Sequence, residues 1–181
     1  MEIDQIKKVV KKIREKYNKE DLSPFPFDRI TIDNPNLKIE FREFPESLEN
    51  ISGVILFSNN EEKEEFSILI NSKKPKARQY FTLAHELGHF FLHKEHLKKE
   101  KAFIDDNNSF NSRYMLFRDD NSKKSEALEV EANKFAANLI MPEDLVKKVW
   151  GKLNDVEDLA KIFNVSVVAM SIRLERLGLI D

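Results

Sequence analysis

All four histidines of the 181-residue chain fall in one short stretch, at His85, His89, His93 and His96. The first two belong to His85-Glu86-Leu87-Gly88-His89, an HExxH pattern inside the apolar run FTLAHELGHFFLH. Residues four apart on a helix share a face, so both imidazoles can reach one metal ion. Glu86 projects beside that ion without having to bind it, where it can act as general base on a metal-activated water. Cysteine is absent, which removes disulfides, thiol nucleophiles and thiolate ligands and leaves histidine and carboxylate as the natural donors. Zinc suits that donor set, with one position open for chemistry, and manganese accepts it too. The bland alternative is two histidines on an ordinary helix, which leaves the crowding of every histidine unexplained.

The third ligand is expected on a second helix, within Glu126-Ala-Leu-Glu129-Val-Glu131-Ala132-Asn133-Lys134-Phe135-Ala136. Glu129 and Asn133 lie one turn apart on the face that carries Ala132 and Ala136. Glu129 is thus the candidate carboxylate ligand, and Asn133 a hydrogen-bond partner for a ligating histidine. Glu131 points elsewhere, with Lys134 and Asn138, and reads as a solvated residue; Glu129 is preferred to it on that ground. His93 lies roughly 6 Å further along the helix axis than His89, too far for easy joint ligation with His85. His93 and His96 therefore read as helix-end residues in favourable contact with the dipole.

Such a site needs a scaffold. Ile3, Ile6, Val10, Ile13 and Tyr17 recur at helical spacing and predict an amphipathic helix docked on a core, broken by the prolines of Asp21 to Asp28. Four strand-like segments follow, Arg29–Ile32, Leu37–Phe41, Ile51–Ser58 and Glu65–Asn71, the last two forming a hairpin. Helices are expected over about 76–93 and 125–141, then at Leu145–Trp150 (ended by Gly151), Asp155–Phe163 and Ser166–Leu177, with a short strand at Tyr114–Arg118. The order helix, strands, helices predicts an α+β fold with a small antiparallel or mixed sheet.

Composition narrows the partners. With 41% hydrophobic residues a packed core is expected, and Lys+Arg 30 against Asp+Glu 32 gives a net charge of -2. That balance disfavours direct nucleic-acid binding through bulk charge. The last two helices resemble a helix-turn-helix with Ser166 as N-cap. The end that would read bases, however, is the apolar Val167-Val168-Ala169-Met170. The basic loop Lys73–Arg78 is either a solvated loop or a steering patch, and the sequence does not choose. The charged N-terminus lacks a signal-peptide core and no apolar run reaches bilayer length, so a soluble cytoplasmic protein is expected, without a membrane partner.

Three segments resemble the ImmA/IrrE family of metallo-endopeptidases: Arg78 to His93, Glu129 to Pro142, and Leu159 to Ile180. The resemblance implies a zincin-type active-site helix, a second ligand helix, zinc held by His85, His89 and Glu129, and Glu86 as general base. It also implies a substrate: a helix-turn-helix transcriptional repressor whose cleavage relieves repression. On this reading residues 1–150 form the metallopeptidase domain and 151–181 a helix-turn-helix-like segment packed on it. Arg173 is a candidate substrate contact, and Tyr114 and Arg173 are candidates for stabilising an oxyanion. The strand Glu65–Asn71 is expected to offer an edge for an extended substrate. The rival is a DNA-binding or repressor-binding regulator with a structural metal.

Overall fold

Ile6, Val10, Ile13 and Tyr17 line one face of helix α1 (Ile3–Tyr17) and are buried, as their spacing requires. The computed structural model describes residues 1–21, 23–60, 63–99 and 123–181. After α1 come α2 (Asp28–Asp33), β1 (Leu37–Arg42), a short 3-10 turn (Glu46–Leu48), β2 (Gly53–Asn60) and β3 (Lys63–Asn71). Then follow α3 (Lys76–Leu92), α4 (Lys94–Lys99), α5 (Lys123–Ile140), α6 (Glu143–Leu153), α7 (Val156–Phe163) and α8 (Val167–Arg176). The class is α+β, as expected. The expected strand at Tyr114–Arg118 lies outside the described residues. Among those described, no helix is long and apolar enough to cross a membrane.

Among the described residues the sheet is mixed and three-stranded, in the order β1-β3-β2. β3 runs parallel to β1, with Leu37 opposite Phe66, and antiparallel to β2, with Ile55 opposite Ile68. Strand alternation sorts its two faces. Phe66, Ile68 and Ile70 join the main core with Leu83, Leu87 and Phe90 of α3. Val54 and Leu69 pack on the other side with Phe44, Leu48 and Ile51. The main core continues without a break through Phe135, Leu139, Leu159, Phe163, Met170 and Leu174, so α7 and α8 share it with the helices that carry the site.

Three expectations need correction. Arg29–Ile32 is helical, within α2: Ile30 is fully buried while Ile32 stays exposed, and the Thr31 hydroxyl donates to the Asp28 carbonyl. The β-branched run suited a strand, but one buried side chain per turn suits a short helix, and tertiary context outweighs weak β propensity. α6 runs through Gly151 and ends where Asn154 adopts a left-handed conformation (φ 49°), as Asn tolerates. Finally, β3 is the central strand and offers no edge; the sheet's edges are β1 and β2.

Candidate metal centre

Helix α3 passes over the sheet and against α5, and both approaches use a glycine. A Cβ built on Gly53 of β2 falls 2.5 Å from Thr82 Cγ2, so the strand reaches α3 only without one. On Gly88 a Cβ would lie 3.1 Å from Ala132 Cα and 3.2 Å from the Ala132 carbonyl oxygen. The Gly of HELGH and the Ala of EAN thus allow two helix backbones to meet. Glu129, one turn before Asn133 on α5, is carried by that contact to the histidines of α3.

The three side chains converge. His85 Nε2 and His89 Nε2 are 3.1 Å apart. Each lies 3.2 Å from one carboxylate oxygen of Glu129. A tetrahedral zinc site with bonds of about 2.0–2.1 Å has ligand-to-ligand edges of about 3.3–3.4 Å. The donors therefore already stand close to the spacing that an ion requires, and among the described residues this group alone meets the test for three metal donors. Two imidazoles and a carboxylate fit zinc or manganese by chemistry as well.

Behind the donors the other ring nitrogens are engaged. His85 Nδ1 is 3.0 Å from Asn133 Oδ1. His89 Nδ1 is 3.0 Å from His93 Nδ1, and His93 Nε2 is 3.0 Å from Glu131 Oε2. Glu131 also pairs with the Met1 amino group. His93 caps the C-terminal end of α3, where a helix-end residue is expected, and is buried there. Glu131 is likewise not a solvated residue, its side chain being 13% exposed. Helical phase turns Glu131 away from the face of Glu129 but says nothing of what it meets. The signal was the spacing itself, since His93 continues the stripe of His85 and His89.

Glu86 is 7% exposed and lies within the field of His85, His89 and Glu129. Burial pushes its carboxyl above the ordinary value, against the pull of both histidines and a hydrogen bond from the Ile55 backbone N–H. Hydrogen bonds from His85 and His89 hold Glu129 far below the usual carboxylate range, outweighing its partial burial. For His85, burial favours the neutral form, yet the bond to Glu129 and the nearby carboxylates together raise its pKa. One carboxyl raised and one depressed side by side are the arrangement that proton-transfer sites use.

The family model for the IrrE N-terminal-like domain, Peptidase_M78, matches residues 36–175. The chain belongs to the ImmA/IrrE family. This family domain is a peptidase domain, so a protein substrate is implied. The match spans the sheet, α3, α5 and most of α8, including every residue of the centre. No curated protein matches the chain. Of the other expected site residues, Tyr114 lies outside the described residues. Arg173 is 8% exposed, and its Nε donates to the Met141 carbonyl at 2.9 Å while Nη2 donates to Asn138 Oδ1 at 3.1 Å. Those bonds fasten α8 to the end of α5.

Proposed function

We propose that this ImmA/IrrE-family chain is a zinc-dependent endopeptidase that cleaves a helix-turn-helix transcriptional repressor and so relieves repression. The observation that carries it is the convergence of His85, His89 and Glu129 beside the buried Glu86, in a peptidase domain. His85 Nε2, His89 Nε2 and Glu129 would hold the ion, with manganese as the alternative. When bound, it supplies a Lewis acid for the scissile carbonyl and brings the pKa of water toward about 7. Glu86 takes the proton of the attacking water on its carboxylate and later delivers it to the leaving amine nitrogen. Burial suits it to both tasks, because a raised carboxyl holds its proton more readily than a solvated one. Asn133 fixes the ring of His85.

The substrate strand is assigned to the edge of β2, which no strand among the described residues pairs. Asn71 N–H donates to the Ser52 carbonyl at 2.9 Å, and in an antiparallel pair bonded positions alternate with outward-facing ones. Val54 and Leu56 thus face β3, while Ile55 and Phe57 direct their backbone groups outward. The outward Ile55 N–H is the one that reaches Glu86. An extended peptide added along this edge would run directly past the general base. The repressor as substrate rests on the family resemblance of Arg78–His93 and Glu129–Pro142. DNA as the direct partner is opposed by the start of α8, where Val167 is 46% and Val168 69% exposed.

Glu86→Gln tests the reading. The variant should keep its metal and lose cleavage of a helix-turn-helix repressor substrate, by about 100-fold or more. Unchanged cleavage would refute the role of Glu86, and a wild-type chain that binds no metal would refute the centre.

A further inference from the structure

We propose that His93 and Glu131 are positioning residues that set the tautomer and orientation of His89, on the reading that His89 binds metal through Nε2. An ionised carboxylate only accepts hydrogen bonds. Glu131 Oε2, 3.0 Å from His93 Nε2, therefore requires the proton of a neutral His93 on that nitrogen. His93 Nδ1 is then a bare acceptor, 3.0 Å from His89 Nδ1. With metal bound, His89 must donate from Nδ1, and the proton that its Nε2 shares with Glu129 in the metal-free chain gives way, so that the Nε2 lone pair faces the ion beside Glu129 and His85 Nε2. The opposite tautomer would put a proton where the ion has to sit.

Asn133 does the same for His85 by a shorter path, its Oδ1 accepting from Nδ1. Each ligating ring on α3 thus hangs from α5 by its far nitrogen, and both links come from the turn of α5 that follows Glu129, at 131 and 133. The His93 backbone adds to the rigidity, since its N–H donates to the His89 carbonyl at 2.9 Å. His93 is 5% exposed, so this link is shielded from competing water. Partners behind a metal-bound histidine typically change metal affinity by 10- to 100-fold when removed.

The experiment measures zinc affinity of the full-length chain by competition with a chelating indicator, for wild type, His93→Ala, Glu131→Leu and Glu131→Gln, with melting of each metal-free protein as a control for folding. Nitrogen-15 histidine spectra of the zinc-loaded wild type read the tautomers directly. Expected are Nδ1–H tautomers at His85 and His89, a roughly 10- to 100-fold weaker zinc affinity for His93→Ala and Glu131→Leu, and near wild-type affinity for Glu131→Gln, whose amide oxygen still accepts. Combining His93→Ala with Glu131→Leu should weaken binding no further than either alone, because both break one link. Affinities of His93→Ala and Glu131→Leu within threefold of wild type, or a His89 bound through Nδ1, would overturn the proposal and leave the metal centre standing. A wild type without zinc affinity would overturn both.

Discussion

Replacing Gly88 by alanine tests whether helix contact places the carboxylate ligand. The new Cβ would stand 3.1 Å from Ala132 Cα, 3.2 Å from its carbonyl oxygen and 3.2 Å from Phe135 Cδ1. Comfortable carbon contacts lie at about 3.5–4.0 Å, so α3 and α5 must part by roughly half an ångström. Two of these neighbours are backbone and cannot swing aside. Overpacking of this kind costs about 1–3 kcal/mol, and the better helix propensity of alanine returns up to about 1 kcal/mol. At about 2–4 °C per kcal/mol for a chain of this size, melting should fall by up to about 12 °C. The centre should suffer more than the fold, because Glu129 must bridge from α5 to two rings on α3 within 3.2 Å. Misplacement by 1 Å is worth about 100-fold at a reacting site, so half of that should weaken zinc binding about tenfold. Gly151→Ala is the control. It lies within α6 with nothing within 4 Å of its Cβ, and should raise melting by about 1–3 °C with zinc affinity unchanged. If Gly88→Ala matches Gly151→Ala in both melting and affinity, the contact does not position the ligand.

Two further outcomes follow from the same geometry. The metal-free pairing of Glu129 with His85 should stabilise most between about pH 5 and 6.5: the contribution of the depressed Glu129 is present above 4.5 and lost as acid protonates it, whereas that of the raised His85 is complete below 6.5 and lost as the pH climbs through its folded value. Zinc competes with those protons, so the rise in melting temperature on adding zinc should be small at pH 5.5 and large at pH 8; equal shifts would contradict the ligand set. Arg173→Met should cost about 2–4 kcal/mol in urea unfolding, since the Met141 carbonyl and Asn138 Oδ1 lose their buried donor, with zinc affinity unchanged. Lost cleavage with undiminished stability would instead put the guanidinium on the substrate.

Helical phase is a local property, and where it decided placement the chain was readable. His85 and His89 four apart, and Glu129 with Asn133 on the Ala132 face, needed only the 3.6-residue repeat to be put on the right sides of their helices. Capping was equally local: the Ser166 hydroxyl accepts from the Ala169 N–H at 3.1 Å, as its place before α8 anticipates. Strand order has no such signature. β3 carries the near-continuous apolar run of a strand covered on both faces, which does not name its neighbours, and its central place follows from a parallel partner, β1, more than twenty residues away. Arg29–Ile32 is helical despite its β-branched composition, which is a weak guide when only Ile30 finds a core.

The donor types, the absence of thiols and the HExxH spacing are written in the sequence, because they depend on side-chain chemistry and one helical turn. Whether the donors meet depends on two backbones approaching at Gly88 and Ala132, and on a sheet edge bringing the Ile55 N–H to Glu86. The link from His89 through His93 to Glu131 is of the same kind. It joins residues on separate helices, so no periodicity along one segment contains it, and only the packing of α3 against α5 turned a helix-end histidine and an ordinary glutamate into parts of the centre.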